Sequence, residues 1–290
     1  MTTILLTGAA GGMGRLLRPR LARSDRVLRL LDLAPITAGP REEAVTASVT
    51  DLPAMIGACD GVDAIIHLGG ISGEAPWEEL LDVNINGTYT VFEAARQAGV
   101  GRVVFASSNH AVGFHTPDEY PLPEACVPLP DTFYGVSKVA GEALGALYAN
   151  RCGMDVISVR ILSCFLEPID PRALSTWFSP DDCARLFEAC LAAESPGYRV
   201  VYGVSGNSRG GWVSLDGARA LGFEPRDDAE RFAELVIAEH GEPRSDDRLF
   251  AHLGGAFCFP ESGLRPRSGR AQAPTDSRSG RIDKLGTGTP

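Results

Sequence analysis

The stretch TILLTGAAGGMG, residues 3–14, joins an apolar run to a turn rich in glycine. Its spaced glycines follow a predicted strand and open a predicted helix, which is the arrangement of a dinucleotide-binding turn. Glycine lets the backbone turn tightly and approach a diphosphate, while free N–H groups at the helix N-terminus stabilise the negative charge. The residues of this turn that we assign to a dinucleotide are Gly8, Gly11, Gly12, Met13 and Gly14.

A second run, RVLRLLD at residues 26–32, ends on an acidic side chain. Asp32 can accept hydrogen bonds from the adenosine ribose diol and would repel a 2′-phosphate. Leu33 follows at a position where NADP enzymes often carry arginine. Together with the glycine-rich turn, this pattern predicts NAD as the cofactor.

Short apolar runs alternate with longer helical patterns through most of the chain. The predicted strands are TILLTG, RVLRLLD, AVTASV, AIIHLG, RVVFASS, DVISVRI and RVVYGV. The predicted helices lie near residues 12–23, 76–98, 132–151 and 180–193. Apolar strands between helices indicate an α/β fold, here a Rossmann-type doubly wound parallel sheet with a small C-terminal substrate-binding part.

Composition divides the chain into three parts. We predict an NAD-binding region with the catalytic helix at residues 1–160, and a substrate-binding part with the remaining strands and helices at residues 161–260. Residues 261–290 are rich in Gly, Ser, Pro and Arg and lack apolar periodicity. This last segment is predicted to be a disordered basic tail.

Composition also argues against several classes of function. The net charge of −10 disfavours a nucleic-acid-binding surface, which usually needs a basic face. No apolar run approaches the roughly 20 residues that span a bilayer, and Met1 leads into TILLTG without a signal-like segment. The seven cysteines are scattered without metal-ligand spacing, which predicts reduced thiols and no metal site. We therefore expect a cytoplasmic protein that binds neither nucleic acid nor membrane.

The run YGVSK places Tyr134 and Lys138 four residues apart, so both lie on one face of a predicted helix. A free phenol is a poor base at neutral pH, and a nearby ammonium is expected to lower its pKa. The pair could then remove a proton from a hydroxyl group. The pattern alone also fits an exposed helix face, but the upstream glycines and the run SSN at 107–109 favour a catalytic role.

These features together resemble the extended short-chain dehydrogenase/reductase family over nearly all of residues 1–260. The runs HLGG, NINGT and VRI match further motifs of that family. The resemblance implies that Ser108 completes a catalytic triad with Tyr134 and Lys138. The further cofactor contacts that it implies are Ser48, Val49, Leu68, Gly69, Gly70, Asn84, Tyr134, Lys138 and Ile161.

One position departs from the family pattern. The family usually carries an aspartate after the third strand, where it contacts adenine. Here the run ASVTD offers Ser48 at that position, and Asp51 stands three residues further on. The adenine contact therefore stays open.

Only residues 139–260 lie between Lys138 and the predicted tail, which leaves little chain to wrap a nucleoside diphosphate. The runs GGISGEAPW, FASSNH, RILSCFLEP, RALSTWFS and GGAFCF resemble a branch of the family that oxidises hexuronic acids at C1 with NAD. The resemblance implies a small hexuronic acid as substrate and a lactone as product. It does not distinguish galacturonate from glucuronate.

A sugar acid has one carboxylate and many hydroxyls, so its pocket needs one fixed cation and several neutral hydrogen-bonding groups. Arg172 could clamp the carboxylate through two parallel hydrogen bonds, although it also fits a surface position. His110 and Phe257 likewise fit ordinary core positions. The substrate-binding residues that we assign are Ser72, Ser108, Asn109, His110, Tyr134, Ser163, Arg172 and Phe257.

Two other functions stay open. A nucleotide-sugar epimerase or reductase of the same family would bind a UDP- or GDP-sugar, and a non-catalytic NAD-sensing module would use the fold as a switch. Retention of both Tyr134 and Lys138 disfavours the sensing module. Family members often pair through the helices corresponding to 76–98 and 132–151, so we expect a homo-oligomer.

Overall fold

The computed structural model describes residues 1–242 and 247–259. Within these ranges, seven parallel strands form one sheet in the order β3-β2-β1-β4-β5-β6-β7. The strands are β1 (Thr2–Thr7), β2 (Arg26–Asp32), β3 (Glu42–Thr46), β4 (Ala64–His67), β5 (Arg102–Ser108), β6 (Asp155–Ile161) and β7 (Tyr198–Gly203). The predicted doubly wound parallel sheet is confirmed. The predicted tail at 261–290 lies outside the described residues.

Helices cover both faces of this sheet. The α-helices in the described ranges are α1 (Gly12–Leu21), α2 (Leu52–Cys59), α3 (Trp77–Glu79), α4 (Gly87–Ala98), α5 (Phe133–Cys152), α6 (Ala173–Thr176), α7 (Pro180–Ala192), α8 (Asp216–Ala220) and α9 (Ala233–His240). Helices α1 and α7 pack together on one face, and α2, α4 and α5 cover the other.

The strands read as continuous apolar runs because both faces of the sheet are covered. Successive side chains of a strand point to opposite faces. In β1, Ile4 and Leu6 belong to the core beneath α1 and α7, whereas Leu5 belongs to the core beneath α2 and α4. All three side chains are buried, which a sheet with one solvated face would not require.

The strand order reverses between β1 and β4, which are neighbours in the sheet although β2 and β3 separate them in sequence. At such a switch point the carboxyl ends of the strands open a crevice where ligands bind. The glycine-rich turn after β1, the loop after β4 and Ser108 at the end of β5 all lie at this edge. The fold therefore collects the predicted cofactor and catalytic residues at one place.

Three local features differ from the sequence-based expectation. Strand β3 ends at Thr46, earlier than predicted, and the Ser48 hydroxyl then accepts a hydrogen bond from Thr50 N at 3.2 Å in the turn before α2. Helix α2 itself was not predicted. The predicted helix at 76–98 consists of α3, a π-helical stretch at Leu80–Asn86, and α4.

Strand β7 extends the sheet beyond residue 160, so the two predicted parts of the chain share one sheet. The division at that residue stays a prediction. No helix in the described ranges is long and apolar enough to cross a membrane.

Candidate active site

The glycine-rich turn after β1 brings two loop backbones into contact. Gly8 has a φ of +69°, and a Cβ there would lie 2.8 Å from the backbone N of Gly69. A Cβ on Gly14 would lie 2.4 Å from the Gly8 carbonyl oxygen. The turn is completed by Gly11, Gly12 and Met13. Backbone contacts thus exclude a side chain at Gly8 and at Gly14, so the turn stays compact at the N-terminus of α1, which fits a bound diphosphate.

Asp32 ends β2 with its carboxylate already fixed. Its Oδ2 accepts a hydrogen bond from Ala10 N at 3.0 Å, and its Oδ1 accepts one from Ala34 N at 3.0 Å. The neighbouring Leu33 is 71% exposed. Each carboxylate oxygen can accept a further hydrogen bond, so the arrangement fits the ribose diol predicted from the sequence.

The loop after β4 carries three predicted cofactor residues, Leu68, Gly69 and Gly70, and is tied to β1 by Thr7. The Thr7 hydroxyl accepts a hydrogen bond from Gly69 N at 3.1 Å and lies 2.8 Å from Nδ1 of His67. Burial, with a smaller effect of the Lys138 charge, lowers the pKa of His67 to about 3. His67 is therefore a neutral structural group, to which sequence analysis gave no role although it opens the HLGG motif.

The residues after β3 bear on the open adenine contact. Asp51 is engaged as the N-terminal cap of α2, where its Oδ1 accepts a hydrogen bond from Ala54 N at 3.0 Å. Val49 is buried against the loop after β4, because a Cβ on Gly69 would lie 2.7 Å from Val49 Cγ1. The assignment of Ser48 and Val49 to the cofactor stays a prediction.

Asn84 lies in the π-helical stretch and ties the loop after β4 to α5. Its Oδ1 accepts a hydrogen bond from Ile71 N at 2.7 Å. Its Nδ2 donates to the Ile71 carbonyl and to Ser137 Oγ, both at 3.0 Å. The buried amide therefore holds the crevice wall in place, and its predicted cofactor contact stays a prediction.

Helix α5 carries the predicted catalytic pair. A threonine hydroxyl and a glutamate carboxylate accept hydrogen bonds from backbone N–H groups at its start. Thr132 Oγ1 accepts a hydrogen bond from Gly135 N at 2.9 Å. Glu74 accepts hydrogen bonds from Phe133 N at 3.4 Å and Tyr134 N at 3.0 Å. A negative charge near a helix N-terminus also stabilises the helix. Glu74 lies in the run GGISGEAPW, and its contact with α5 was not predicted.

Tyr134, Lys138 and Ser108 come together as predicted, and all three are buried. The Ser108 hydroxyl is close enough to the Tyr134 phenol to lower the pKa of that phenol. Lys138 Nζ lies 5.4 Å from the centre of the Tyr134 ring and donates to the Ala106 carbonyl oxygen at 2.9 Å. The catalytic role of this triad stays a prediction.

Burial dominates the acidity of this pair. It raises the pKa of Tyr134 to about 12, against a smaller lowering by the neighbouring Ser108 hydroxyl. It also lowers the pKa of Lys138 to about 8. The expected lowering of the Tyr134 pKa by Lys138 is therefore not met in this structure, because burial raises that pKa and the ammonium is directed at the Ala106 carbonyl.

Ser107, next to the predicted catalytic serine, belongs to a different network. Its Oγ donates to Glu142 Oε1 at 2.6 Å. Glu142 also accepts two hydrogen bonds from Arg160, from Nε at 2.9 Å and from Nη2 at 2.8 Å. All three side chains are buried, so Ser107 is held by a structural ion pair while Ser108 contacts Tyr134.

Arg172 is half-buried with its Nε enclosed, and no carboxylate in the described part of the chain lies within 4.0 Å of its guanidinium. Its Nη2 donates to the Leu253 carbonyl, its Nη1 lies 3.5 Å from Ser163 Oγ, and its Nε has no partner. The guanidinium lies 5.5 Å from the centre of a Trp212 ring. Burial lowers the pKa of Arg172, partly offset by more distant acidic groups.

The Leu253 carbonyl connects Arg172 to the end of β5. It also accepts a hydrogen bond from Asn109 Nδ2 at 3.2 Å. Ser163 Oγ lies 2.8 Å from Thr176 Oγ1 and thus stays beside Arg172. Three predicted substrate residues, Asn109, Ser163 and Arg172, therefore meet in one corner although they are far apart in sequence.

His110 lies between the predicted base and the predicted aromatic wall. Its ring centre is 5.8 Å from that of Tyr134 and 4.4 Å from that of Phe257. Its Nδ1 lies 2.7 Å from Oδ2 of Asp131, a buried carboxylate to which sequence analysis gave no role.

Two predicted residues lie at the margin of this cluster. Ile161 ends β6 directly opposite Ser108 in the sheet register. Ser72 is exposed in the loop after β4, beside Ile71, which Asn84 holds in place. In the ranges that the structure covers, no hydrogen bond joins the Ser72 side chain to the other predicted residues, and no group of His, Cys, Asp or Glu is arranged for a metal ion.

Residues 4–179 match the model of the NAD dependent epimerase/dehydratase family. The chain belongs to this family, which confirms the family predicted from the motifs. It is 44% identical over 258 residues to a uronate dehydrogenase of Pseudomonas putida, with 88% of this chain and 95% of the relative covered.

Solved structures of uronate dehydrogenases are also similar to this chain. Uronate dehydrogenase from Agrobacterium tumefaciens superposes with a TM-score of 0.84 at 43% identity, covering 89% of this chain and 97% of that one. A mutant of that enzyme was crystallised in complex with NAD. An NAD-dependent glucose-6-phosphate dehydrogenase of Haloferax volcanii is also similar, at 40% identity over 79% of this chain and 95% of the relative.

Proposed function

We propose that this protein oxidises a free hexuronic acid, D-galacturonate or D-glucuronate, at C1 with NAD and releases an aldaro-lactone. The observation that carries the proposal is Arg172, a half-buried guanidinium with an enclosed, unpaired Nε and no carboxylate partner, which is joined through Leu253 to Asn109, next to Ser108. The similarity to uronate dehydrogenases over most of the chain supports it.

A buried charge without a counter-charge is costly, and the cost falls when an opposite charge with good hydrogen-bond geometry arrives. A hexuronate has one carboxylate, which can take two parallel hydrogen bonds from a guanidinium. Asn109 and Ser163 beside Arg172 supply neutral groups for hydroxyls. This set of groups fits a sugar acid better than a neutral sugar.

The glycine-rich turn and the fixed Asp32 carboxylate fit NAD. Residues 8–14 would hold the diphosphate at the start of α1, and Asp32 would accept hydrogen bonds from the adenosine ribose. When bound, NAD supplies the acceptor for the hydride that leaves C1. We assign the nicotinamide ribose to Lys138, whose Nζ lies at the same edge of the sheet.

The proton leaves from the anomeric hydroxyl group. Tyr134 accepts it while Ser108 donates a hydrogen bond to the same oxygen, and the C1–O bond becomes the lactone carbonyl. With a pKa of about 12, Tyr134 holds its own proton at neutral pH. Its pKa must therefore fall before it can act, and a charged Lys138 that leaves the Ala106 carbonyl would lower it.

An absorbance assay of NADH formation tests the function with a panel of substrates. The panel contains galacturonate, glucuronate, galactose, a UDP-linked uronate and glucose 6-phosphate. We expect NADH with the two free uronates, and kcat/KM at least about 100-fold lower for galactose, which lacks the group that a buried guanidinium recognises.

Each other result has a definite meaning. Turnover of the UDP-linked sugar alone would make the protein a nucleotide-sugar enzyme, and turnover of glucose 6-phosphate alone would assign Arg172 to a phosphate. NAD binding without turnover of any member would support the sensing module. Galactose turned over as well as galacturonate would remove the carboxylate from recognition.

We also propose that the protein forms a homo-oligomer through α4 and α5. Apolar side chains of these helices and of the π-helical stretch, among them Leu81, Tyr89 and Leu147, are 44% to 49% exposed on one surface. Such a patch on a soluble protein commonly marks an interface. Light scattering should show a dimer or larger, and Leu147→Glu should shift it to monomer; a monomeric wild type would contradict the proposal.

The seven cysteines of the chain are free thiols in the structure, and all lie in the described ranges. Reduced cysteines are typical of the cytoplasm, to which we assign the protein.

A further inference from the structure

His110, which is half-buried, pairs with the buried carboxylate of Asp131, and the proton transfer from C1 does not use this pair. Asp131 is fully buried, and its two oxygens are both engaged. Its Oδ2 lies 2.7 Å from His110 Nδ1 and 3.7 Å from Cys258 Sγ. Its Oδ1 accepts a hydrogen bond from Thr132 Oγ1 at 2.9 Å. The carboxylate therefore connects α5, the end of β5 and the C-terminal segment.

The space around this carboxylate admits no further side chain. A Cβ on Gly113 would lie 2.0 Å from Asp131 Oδ2, and a Cβ on Gly254 would lie 1.8 Å from it. The two glycines are themselves joined, because Gly254 N donates to the Gly113 carbonyl at 2.8 Å. The backbone thus encloses Asp131 and leaves it no other position.

The hydrogen bond to Asp131 determines which ring nitrogen of His110 carries the proton. An ionised carboxylate can only accept hydrogen bonds, so His110 Nδ1 must carry a proton to bond with Asp131. In neutral imidazole the other nitrogen, Nε2, is then an acceptor. In the described part of the protein, Nε2 of His110 has no hydrogen-bond partner and is not enclosed as an unpaired buried atom.

A second histidine–carboxylate pair shows what a purely structural arrangement looks like. His115 Nδ1 lies 2.8 Å from Glu119 Oε2, and its Nε2 lies 2.8 Å from the Val127 carbonyl oxygen. Both ring nitrogens of His115 are thus used inside the protein. His110 differs because its second nitrogen is left free, next to the Tyr134 and Phe257 rings.

We propose that Asp131 is a positioning residue that holds His110 in the Nδ1–H tautomer, so that Nε2 accepts a hydrogen bond from a substrate hydroxyl. The tautomer follows from the pair itself, whereas the hydroxyl rests on the proposed function. His110 then selects a hydroxyl that can donate, and Asp131 acts on the substrate through His110.

Nitrogen-15 NMR of the full-length protein at neutral pH tests the tautomer without any substrate. Ring proton–nitrogen correlations of His110, assigned with His110→Ala, should show a neutral ring with the proton on Nδ1. In Asp131→Asn the ring should no longer be held wholly in that tautomer. A wild-type ring with the proton on Nε2, or with both nitrogens protonated, would overturn the proposal even if uronates are oxidised as expected.

Kinetics test whether Asp131 acts through His110. Asp131→Asn should raise KM for the uronate about 10-fold or more with kcat within about 3-fold, the scale of a lost charge-assisted hydrogen bond. Glu119→Gln alters the other pair, outside the crevice, and should leave both constants within about 2-fold. In the His110→Ala background, Asp131→Asn should cost no further kcat/KM, whereas losses that multiply would indicate a separate structural role.

Fluorinated substrates test the direction of the hydrogen bond and do not depend on folding of the Asp131 variant. Replacing a hydroxyl by fluorine removes the donor. At one of C2, C3 or C4, this change should raise the wild-type KM about 10-fold or more, and His110→Ala should abolish the difference. Tolerance of fluorine at all three positions would overturn the proposal. Absence of any uronate turnover would refute the proposed function and leave the NMR result to decide the tautomer.

Discussion

Arg160 is buried and Arg172 is half-buried with its Nε enclosed, and the surroundings of the two guanidinium groups are opposite. Arg160 donates two hydrogen bonds to Glu142, which also binds Ser107. Arg172 has a backbone carbonyl, a serine at 3.5 Å and an aromatic ring, and its Nε has no partner. The guanidinium of Arg160 is paired with a carboxylate inside the protein, whereas that of Arg172 has no anionic partner in the described residues.

The acidities of the two groups reflect this difference. Burial alone would lower the pKa of Arg160, but the hydrogen bonds and charge of Glu142 raise it above its ordinary value. For Arg172, burial lowers the pKa and the distant acids only partly offset it. A partly enclosed cation that the fold leaves without an anion is ready to bind one, so we read Arg160 as a structural arginine and Arg172 as a functional one.

The largest effect on the free energy of unfolding should follow from breaking the ion pair between Glu142 and Arg160. Glu142→Gln leaves Arg160 buried without a counter-charge and should lower the free energy of unfolding by roughly 3 to 5 kcal/mol. Urea denaturation followed by fluorescence would measure it. The double variant Glu142→Leu with Arg160→Met removes both charges and should recover part of the loss; a loss below about 1 kcal/mol for the single variant would show that the pair is not structural.

Removal of the proposed base should reduce activity and leave stability nearly unchanged. Tyr134→Phe removes the proposed base and should reduce kcat by at least about 100-fold, while the melting temperature stays within a few degrees. Binding of NAD, measured by calorimetry, should be retained. If turnover stays within a few-fold of wild type, Tyr134 is not the base.

His67 extends the comparison to a buried group that stays neutral. Its folded pKa of about 3 lies below the ordinary value of 6.5, so the unfolded chain binds a proton more readily and stability is lost as pH falls through that range. Between pH 7 and pH 5 the wild type should lose about 2 kcal/mol more than His67→Gln does. Denaturation curves at the two pH values would check this, and equal losses would contradict it.

The smallest effect on the free energy of unfolding is expected from removing Arg172, which has no anionic partner in the described residues. Arg172→Met gives up a hydrogen bond to Leu253 but also removes a half-buried charge without an anionic partner, so the free energy of unfolding should change by less than about 1 kcal/mol. The same denaturation assay measures it. A loss as large as that of Glu142→Gln would mean that Arg172 is part of the structural core.

Much of the site could be predicted because it depends on local spacing. The glycines of the first turn and the pair Tyr134 and Lys138 owe their geometry to one turn and one helix, which a short stretch of sequence specifies. The doubly wound parallel sheet was predicted from the alternation of strands and helices. These are the features for which neighbours in sequence are also neighbours in space.

The missed residues act across long separations. Glu74 caps a helix that starts at residue 133, His67 bonds Thr7, and Asp131 receives His110 from another element. Nothing in the spacing of these residues marks the contact, because the fold alone brings them together. The direction of the Tyr134 pKa shift was missed for a related reason, since burial in the finished crevice decides it.

The central claim is that Arg172 recognises the acid group of a sugar, and one ratio tests it most directly. kcat/KM for galacturonate should be divided by that for galactose in wild type and in Arg172→Gln, with Arg209→Gln, which removes an arginine from a surface ion pair, as control. We predict that Arg172→Gln lowers the ratio at least about 100-fold through loss of galacturonate turnover, while the control leaves it unchanged. A ratio that stays the same in Arg172→Gln would contradict the account.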